Sequence, residues 1–387
     1  MKRALLSPAF LYPDASAQTD DPHAIAARLA LALTDGLPDV ALRRAADDGS
    51  IADPLVLATH AKRLADSSRG KAKLRRFFVR WLDLDHASET TKDPDRFPAF
   101  DGELLADLRT SLDRSIEGTV FGDASSYTDL LLGETIYVNR RLAEVYRFSL
   151  PDPVADAPSA DDFVPVPTTD RGRSGLLAHP YLLAALSYRD DTSPIHRGVF
   201  LTRGILGLPL NPPPEAFALG DHDFDPEMTM REKVVELTKA PNCMACHDTI
   251  NPLGFSFEHF DAIGRYRAED AAGRAIDSQA DFIDPDGKTV RFAGPEDVAA
   301  YAAQSDRARR AFVRRLYRHA THREPETLGP DTLDKLDRGF VHDQTHIRRL
   351  FIKIAVAESR LGIQPTKVTV SDDQSTVPNS IDQGGAP

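Results

Sequence analysis

Apolar residues recur three and four positions apart along much of the chain, which is the spacing of one face of an α-helix. Between residues 20 and 147 this pattern predicts a helical domain. Its predicted helices run from His23 to Leu33, Pro54 to Ala65, Lys71 to Leu82, Gly102 to Thr119 and Tyr127 to Tyr146. A stretch rich in Pro, Asp and Ala then breaks the periodicity and predicts an extended connection. We therefore place the first domain at residues 1–148 and the connection at residues 149–169.

Two further modules are predicted beyond this connection. Residues 170–268 contain helical runs from Leu176 to Leu186, Pro194 to Leu206 and Thr229 to Lys239. Residues 269–362 begin with two strand-like runs around the turn signature Asp284-Pro285-Asp286-Gly287, which predicts a β-hairpin. They continue as a helical domain in which Asp343 is expected to cap the last helix. The predicted fold class is mainly α, and the polar residues 363–387 are predicted to form a disordered tail.

The two cysteines of the chain lie together in the run Cys243-Met244-Ala245-Cys246-His247. Two cysteines separated by two residues and followed by histidine form the attachment signature of a c-type haem. Each thiol can add to one haem vinyl group to give a thioether, and the imidazole can bind the iron. The run predicts one covalently attached haem c, held by Cys243 and Cys246, with His247 as the metal ligand. Residues 170–268 are accordingly predicted to form a small cytochrome-like haem module within a multi-module helical protein.

Three other interpretations of the run are weaker. A structural zinc site normally has four Cys or His ligands, and the chain contains no second cysteine pair. A thioredoxin-like redox pair would follow a strand at a helix N-terminus, whereas the preceding stretch predicts a helix. A plain disulfide would leave the adjacent histidine without a role.

The residues after the run are typical of a haem crevice. The stretch from Asn251 to Phe257 predicts a turn followed by aromatic residues. We expect a carbonyl group near Pro252 to accept the Nδ1 proton of His247 and so to fix the imidazole ring. Phe255 is expected to wall the porphyrin, although an ordinary core position explains it equally well. The guanidinium of Arg265 suits a haem propionate or, alternatively, a surface ion pair.

The sequence leaves the second axial ligand of the iron open. A methionine or a histidine closes this face in an electron carrier, whereas an enzyme that handles peroxide or oxygen keeps it accessible. The candidates are Met228, Met230, His196, His259, His222, His319 and His322, or no residue at all.

Three groups of residues carry a resemblance to a known family. They are the stretch from Cys243 to Arg267, the motif Thr192-Ser193-Pro194 with Arg197-Gly198 and Pro212-Pro213-Pro214, and the N-terminal runs Leu5 to Tyr12, Phe77 to Leu82 and Thr135 to Asn139 with Leu142-Ala143. With these the chain resembles, from residue 4 to about 362, large haem-attaching proteins best known from planctomycetes and myxobacteria. The resemblance implies a haem and an extracytoplasmic setting, in a family consisting mostly of domains of unknown function. Members commonly carry a signal peptide and further modules, so this chain is similar to the C-terminal three modules alone.

Composition excludes some partners and settings. The net charge is −12 and no long basic tract occurs, which argues against nucleic acid as a partner. The longest apolar run, Gly175 to Leu186, is interrupted by His179 and Pro180 and is too short to cross a bilayer. The N-terminus mimics a short secretory signal, but Pro8 breaks its apolar part. We therefore predict a periplasmic or otherwise extracytoplasmic location, with the true signal peptide missing upstream.

Two classes of function fit these predictions, and the sequence leaves open whether the protein is an enzyme. The favoured class is electron transfer or redox relay, with redox partner proteins or upstream cytochrome modules as partners. The alternative is a haem oxidoreductase of peroxidase or oxygenase type with an open distal site, for which His196 and Arg197 are the nearest proton-handling pair. A third class is a structural haem or metal-binding scaffold. Hydrolysis is disfavoured because the chain has no nucleophile elbow or phosphate-binding glycine loop.

Overall fold

The computed structural model describes residues 21–151, 162–168, 173, 175–210, 224–225 and 227–360. Within these ranges the protein is mainly helical, with two small antiparallel sheets of two strands each, which confirms the predicted fold class. In the same ranges, no helix combines the length and the apolar character that a bilayer span requires. Four predicted features lie outside the described residues: the signal-like N-terminus, the run Pro212 to Pro214, His222 and the tail at residues 363–387.

The N-terminal region consists largely of helices whose limits lie close to the predicted ones. They are α1 (Pro22–Thr34), α2 (Val40–Asp47), α3 (Pro54–Asp66), α4 (Ser68–Trp81) and α5 (Gly102–Val120). Asp21 and Asp53 precede α1 and α3, and their carboxylates accept hydrogen bonds from the N–H groups of the first turn. Helix α2 was not predicted, because its eight residues are too few for a clear periodic signal.

The prediction of one long helix from Tyr127 to Tyr146 is wrong. The structure contains α6 (Tyr127–Leu132), β1 (Thr135–Val138) and α7 (Arg140–Tyr146) in its place. Gly133 ends α6 in an extended conformation, and the β-branched residues that follow favour a strand. Strand β1 pairs with β2 (Val164–Pro167), so part of the predicted connection forms a strand.

The middle region brings short helices together. They are α8 (Pro180–Ala185), α9 (Pro194–Val199), the π-helical turn Phe200–Ile205, α10 (Met230–Thr238) and α11 (Pro241–Phe255). The predicted helix from Leu176 to Leu186 is interrupted at His179, since Pro180 disfavours a helical conformation at the preceding residue and the His179 side chain caps α8. The predicted turn at Pro252 is also wrong, because α11 continues through this proline.

The C-terminal region starts with the predicted hairpin and continues as helices. The elements are β3 (Ala280–Ile283), β4 (Thr289–Phe292), α12 (Pro295–Gln304), α13 (Asp306–Thr321), α14 (Thr332–His342) and α15 (Ile347–Ser359). Asp343 does not cap α15 as predicted. It is the residue that ends α14, and His346 caps α15, because Gln344 and Thr345 both have positive φ angles and reverse the chain between the two helices.

One large hydrophobic cluster runs through all three predicted modules. Phe312 of α13 lies at its centre, with ring centroids 5.4 Å from Phe77, 5.1 Å from Trp81 and 4.7 Å from Tyr127. Trp81 also donates a hydrogen bond of 3.1 Å from its indole N–H to the carbonyl oxygen of Gly204 in the π-helical turn. Aromatic packing therefore joins the N-terminal, middle and C-terminal regions.

Helices α9 and α11 run antiparallel and touch through their backbones. A Cβ atom added to Gly198 of α9 would lie 2.1 Å from the carbonyl oxygen of Ile250 in α11. A Cβ atom added to Gly254 of α11 would lie 2.0 Å from the carbonyl oxygen of Pro194 in α9. Only glycine leaves room for an approach this close. The crossing therefore fixes the position of α11, the helix that carries both cysteines.

The crossing predicts that Gly254→Ala lowers the free energy of unfolding by about 1–3 kcal/mol, because the new methyl group would meet backbone that cannot move without separating the two helices. Urea denaturation measures this difference. Gly102→Ala is the control, because a methyl group at this position in α5 meets nothing within 4 Å. Equal midpoints for Gly254→Ala and the unmodified protein would contradict the close crossing.

The buried His179 and the half-buried His319 predict a loss of stability in mild acid. Burial lowers the pKa of His179 to about 3 and that of His319 to about 4, from 6.5. Below pH 6.5 the unfolded chain therefore takes up more protons than the folded chain. The free energy of unfolding is at its full value above this pH and decreases as the pH falls. His179 is expected to remove about 2 kcal/mol between pH 7 and pH 5, and the half-buried His319 about 1 kcal/mol, because solvent screens it in part.

Urea denaturation at pH 7 and at pH 5 tests this expectation. His319→Gln should abolish the loss that this histidine causes, whereas the control His86→Gln, at an exposed position, should keep the full loss. An undiminished pH dependence in His319→Gln would be inconsistent with a lowered pKa of His319 in the folded protein.

Candidate haem-attachment site

The cysteine run lies on the first two turns of α11, directly after α10. A capping box of Thr229 and Glu232 starts α10, and Pro241 in the first turn of α11 sets the helical backbone angle. Residues three and four apart share a face of a helix, so Cys243, Cys246 and His247 project from the same side of α11. All three side chains are half-buried, and both thiols are free.

The face that carries the run continues into the helix crossing. Ile250 and Gly254 follow Cys243 and His247 at helical spacing, and both lie against α9. The second half of this face is therefore covered by protein, while the first half, with the two thiols and the imidazole, is half-open. A cavity of about 350 Å³ borders Cys246 from the flank of α11 that carries Ala245 and Thr249, and neither Cys243 nor His247 lines it. Its lining is mixed in polarity and consists of Leu208, Pro209, Leu210, Ala245, Cys246, Thr249, Ile283, Asp284 and Pro285.

Hydrogen bonds connect the imidazole of His247 to the neighbouring helix. Its Nδ1 atom lies 2.8 Å from Oδ1 of Asn251. The Asn251 amide nitrogen donates to the Thr238 hydroxyl at 3.0 Å, and this hydroxyl donates to the carbonyl oxygen of Val234 at 2.7 Å. Val234, Thr238 and Asn251 are all buried. The bonds hold the imidazole ring in one orientation, with Nε2 on the side away from Asn251.

Asn251 occupies the role that the sequence analysis gave to Pro252. The carbonyl oxygen of Pro252 accepts a hydrogen bond of 2.8 Å from the Ser256 hydroxyl, and the Nδ1 atom of His247 bonds to the Asn251 side chain. The prediction is wrong because it assumed a turn at Pro252, where the structure has a continuous helix. In a helix Asn251 lies four residues after His247 on the same face, and this spacing was the signal that sequence reasoning missed.

Phe255 and Arg265 make contacts away from the cysteine run. Phe255 lies about 12 Å along α11 from His247, given a rise of 1.5 Å per residue. Its ring packs with Val234 and lies 4.5 Å below the guanidinium of Arg231. Arg265 donates a hydrogen bond of 2.8 Å to Asp261. A role of Phe255 and Arg265 in holding a haem stays a prediction.

The two candidate methionines lie at the opposite end of the α10–α11 pair from His247. Met230 starts α10 and packs on the cluster that contains Val234 and Phe255. Because α10 and α11 run antiparallel, Met230 is near the end of α11, about 12 Å from His247 by helical rise. Met228 precedes Met230 by two residues.

The candidate histidines also make other contacts. His196 is exposed, and its ring lies 5.0 Å from that of Tyr188. Residues 194 and 198 of α9 face α11, so residue 196 falls on the opposite side of α9. His259 bonds through Nδ1 to the carbonyl oxygen of Arg267 at 3.0 Å and stacks on Tyr266. His319 bonds to the carbonyl oxygen of Lys73, and His322 ends α13.

Arg197 is the most completely buried large polar side chain in this region, with 1% of its surface exposed. Its guanidinium donates hydrogen bonds to the carbonyl oxygens of Phe257, Phe260 and Asp261 and to the Ser187 hydroxyl, all between 2.9 and 3.0 Å. Glu258 lies 3.7 Å away as its counter-ion. Burial lowers the pKa of Arg197 to about 10, so it stays charged at neutral pH. Three of these four hydrogen bonds go to the segment after α11, so Arg197 fixes the position of that segment.

Other metal sites find no support in the described ranges. Among these residues no group of three or more His, Cys, Asp or Glu side chains is placed to hold a metal ion. A zinc site built on Cys243 and Cys246 would need two more such ligands.

Comparison with known proteins identifies two domains. Residues 21–148 match the family model PSD4, a protein of unknown function (DUF1592), and residues 173–270 match PSCyt3, a protein of unknown function (DUF1588). No curated protein and no solved structure matches the chain. The chain thus contains two domains of unknown function, and the second includes the cysteine run and the whole of α11.

Proposed function

We propose that this chain is an extracytoplasmic c-type haem protein that transfers electrons through one covalently attached haem. One observation carries the proposal: α11 presents two free thiols and one imidazole on a single half-open face, with the Nδ1 atom of His247 bonded to Asn251. The donor set, two thiols and one imidazole nitrogen, is the one that covalent attachment and iron ligation need. The cavity of about 350 Å³ beside Cys246 leaves space next to this thiol.

The residues of α11 have separate parts in this function. Cys243 and Cys246 would hold a haem through thioether bonds, each formed by adding S–H across one vinyl double bond so that sulfur bonds one vinyl carbon and the proton goes to the other. His247 would hold the iron through Nε2. A bound haem supplies a one-electron couple of ferric and ferrous iron. Electron transfer needs no acid or base among the side chains, and redox partner proteins would dock near this face.

A haem oxidoreductase is the second candidate. It is favoured by the positions of Met230, His196 and His259, which in the structure all contact other groups away from His247. An accessible iron face is what peroxide or oxygen chemistry requires. The proposed acid–base pair is weak support, because the Arg197 guanidinium is buried against backbone carbonyl groups.

Covalent attachment is tested by producing the chain, with an added signal sequence, in a bacterial periplasm that matures c-type cytochromes. We expect the mass to rise by one haem and the denatured protein to keep its colour. A Cys243→Ser, Cys246→Ser double variant should lose all covalent haem, whereas the control Met244→Leu in the same run should retain it. Colourless protein of unmodified mass would rule out the proposal.

The coordination of the loaded protein separates the two candidates. An electron carrier with a closed iron is expected to show a low-spin visible spectrum that cyanide does not change. An oxidoreductase is expected to show a high-spin spectrum that shifts on addition of cyanide. The second result would replace electron transfer with the oxidoreductase.

A further inference from the structure

We infer that Thr238 and Asn251 are positioning residues that set the tautomer of His247 and its strength as an iron ligand. The tautomer follows from the described side chains alone. The consequence for the iron rests on the proposed function.

The direction of every hydrogen bond follows from the Val234 carbonyl group, which can only accept. The Thr238 hydroxyl therefore donates its proton to Val234 and uses a lone pair to accept from its other partner. That partner must be the amide NH₂ of Asn251, 3.0 Å away, so the amide oxygen faces His247. An oxygen at this position accepts, and Nδ1 of His247 must carry the proton. The neutral imidazole is thereby left with its lone pair on Nε2.

Burial makes this order of donors difficult to reverse. Val234 is fully buried, and Thr238 and Asn251 expose only 3% and 6% of their surface. A flipped Asn251 amide would place its NH₂ against the imidazole and its oxygen against a hydroxyl that already donates to Val234. Buried polar groups without a partner are costly, and water has little access to replace them. Thr238 ends α10 and Asn251 lies in α11, so the relative position of the two helices decides the orientation of the imidazole.

The same bonds tune the imidazole as a ligand. A hydrogen bond from Nδ1–H to an acceptor makes Nε2 a stronger donor, which stabilises ferric iron and lowers the midpoint potential. The neutral amide oxygen of Asn251 gives this effect moderately. A carboxylate at residue 251 would strengthen it, and an apolar side chain would remove it.

The tautomer is measured on the full chain without haem, by ¹⁵N NMR of the histidine rings at a pH where they are neutral. In the unmodified protein we expect His247 to be protonated on Nδ1. Asn251→Leu should move the proton to Nε2, and Thr238→Val should give a mixture because the amide is free to flip. Thr238→Ser keeps the hydroxyl and should restore the original tautomer.

A matched control separates this effect from a general loss of packing. Thr34 ends α1, remote from α11, and its hydroxyl donates to the carbonyl oxygen four residues earlier, as that of Thr238 does. Thr34→Val should leave the His247 signal unchanged. A proton on Nε2 in the unmodified protein, or an Asn251→Leu spectrum identical to it, would overturn the inference.

A redox titration of the haem-loaded protein tests the consequence for the iron. Asn251→Asp should lower the midpoint potential, and Asn251→Leu should raise it. Equal potentials in all three proteins would overturn the tuning role while leaving haem attachment intact. Failure of the unmodified chain to acquire haem would instead remove the proposed function, and the NMR result would still decide the tautomer.

Discussion

The close crossing of α9 and α11 is the constraint on which the candidate site depends. Two glycines, Gly198 and Gly254, let the helices meet at backbone distance, and each faces a carbonyl oxygen of the other helix. Contact at this distance leaves no freedom for one helix to slide or rotate past the other. Because the cysteine run lies on the same helix and the same face, the crossing determines where the thiols and the imidazole point. The crossing begins one turn after the run, at Ile250, so the part of the face that carries the run stays half-open.

One arginine side chain holds the chain beside this crossing. Arg197 lies in α9 and donates hydrogen bonds to carbonyl groups of the loop that follows α11. It therefore connects α9 to that loop. Burial raises the pKa of its partner Glu258, while the charge of Arg197 opposes that shift. A buried ion pair of this kind is weak evidence for added stability, but its many fixed hydrogen bonds specify one arrangement of the loop. The guanidinium of Arg197, one half of the candidate proton-handling pair, is instead bonded to backbone carbonyl groups.

The sequence predicted those features that depend on local pattern, and it missed those that depend on packing. The helices from α3 to α5 and the hairpin of β3 and β4 follow from periodicity and turn residues, and the structure contains them. Pro252 was predicted to break the chain direction, but packing of α9 against α11 keeps the helix intact beyond it. Because of that single difference, the contact between Asn251 and His247 was not predicted, since these residues are close only if the helix continues. The break after α6 was missed for a similar reason, because the apolar spacing of a short strand between two short helices imitates one long helix.

The site itself was half predictable. Spacing made Cys243, Cys246 and His247 candidates, because haem attachment would fix the distances between such residues along the chain. Roles that require contacts between distant segments could not be assigned, since single Phe, Arg, Met and His residues occur in many environments. The structure places Phe255 in a small cluster and Arg265 beside Asp261, at contacts that no local pattern specifies.

The continuous aromatic core around Phe312 has a consequence for how the chain is divided. The two family models end at residues 148 and 270, yet Trp81 of the first domain is bonded to Gly204 of the second, and Phe312 from beyond both contacts Trp81. An excised second domain would expose apolar surface that the intact chain covers from both sides. The packed unit is therefore larger than either matched range.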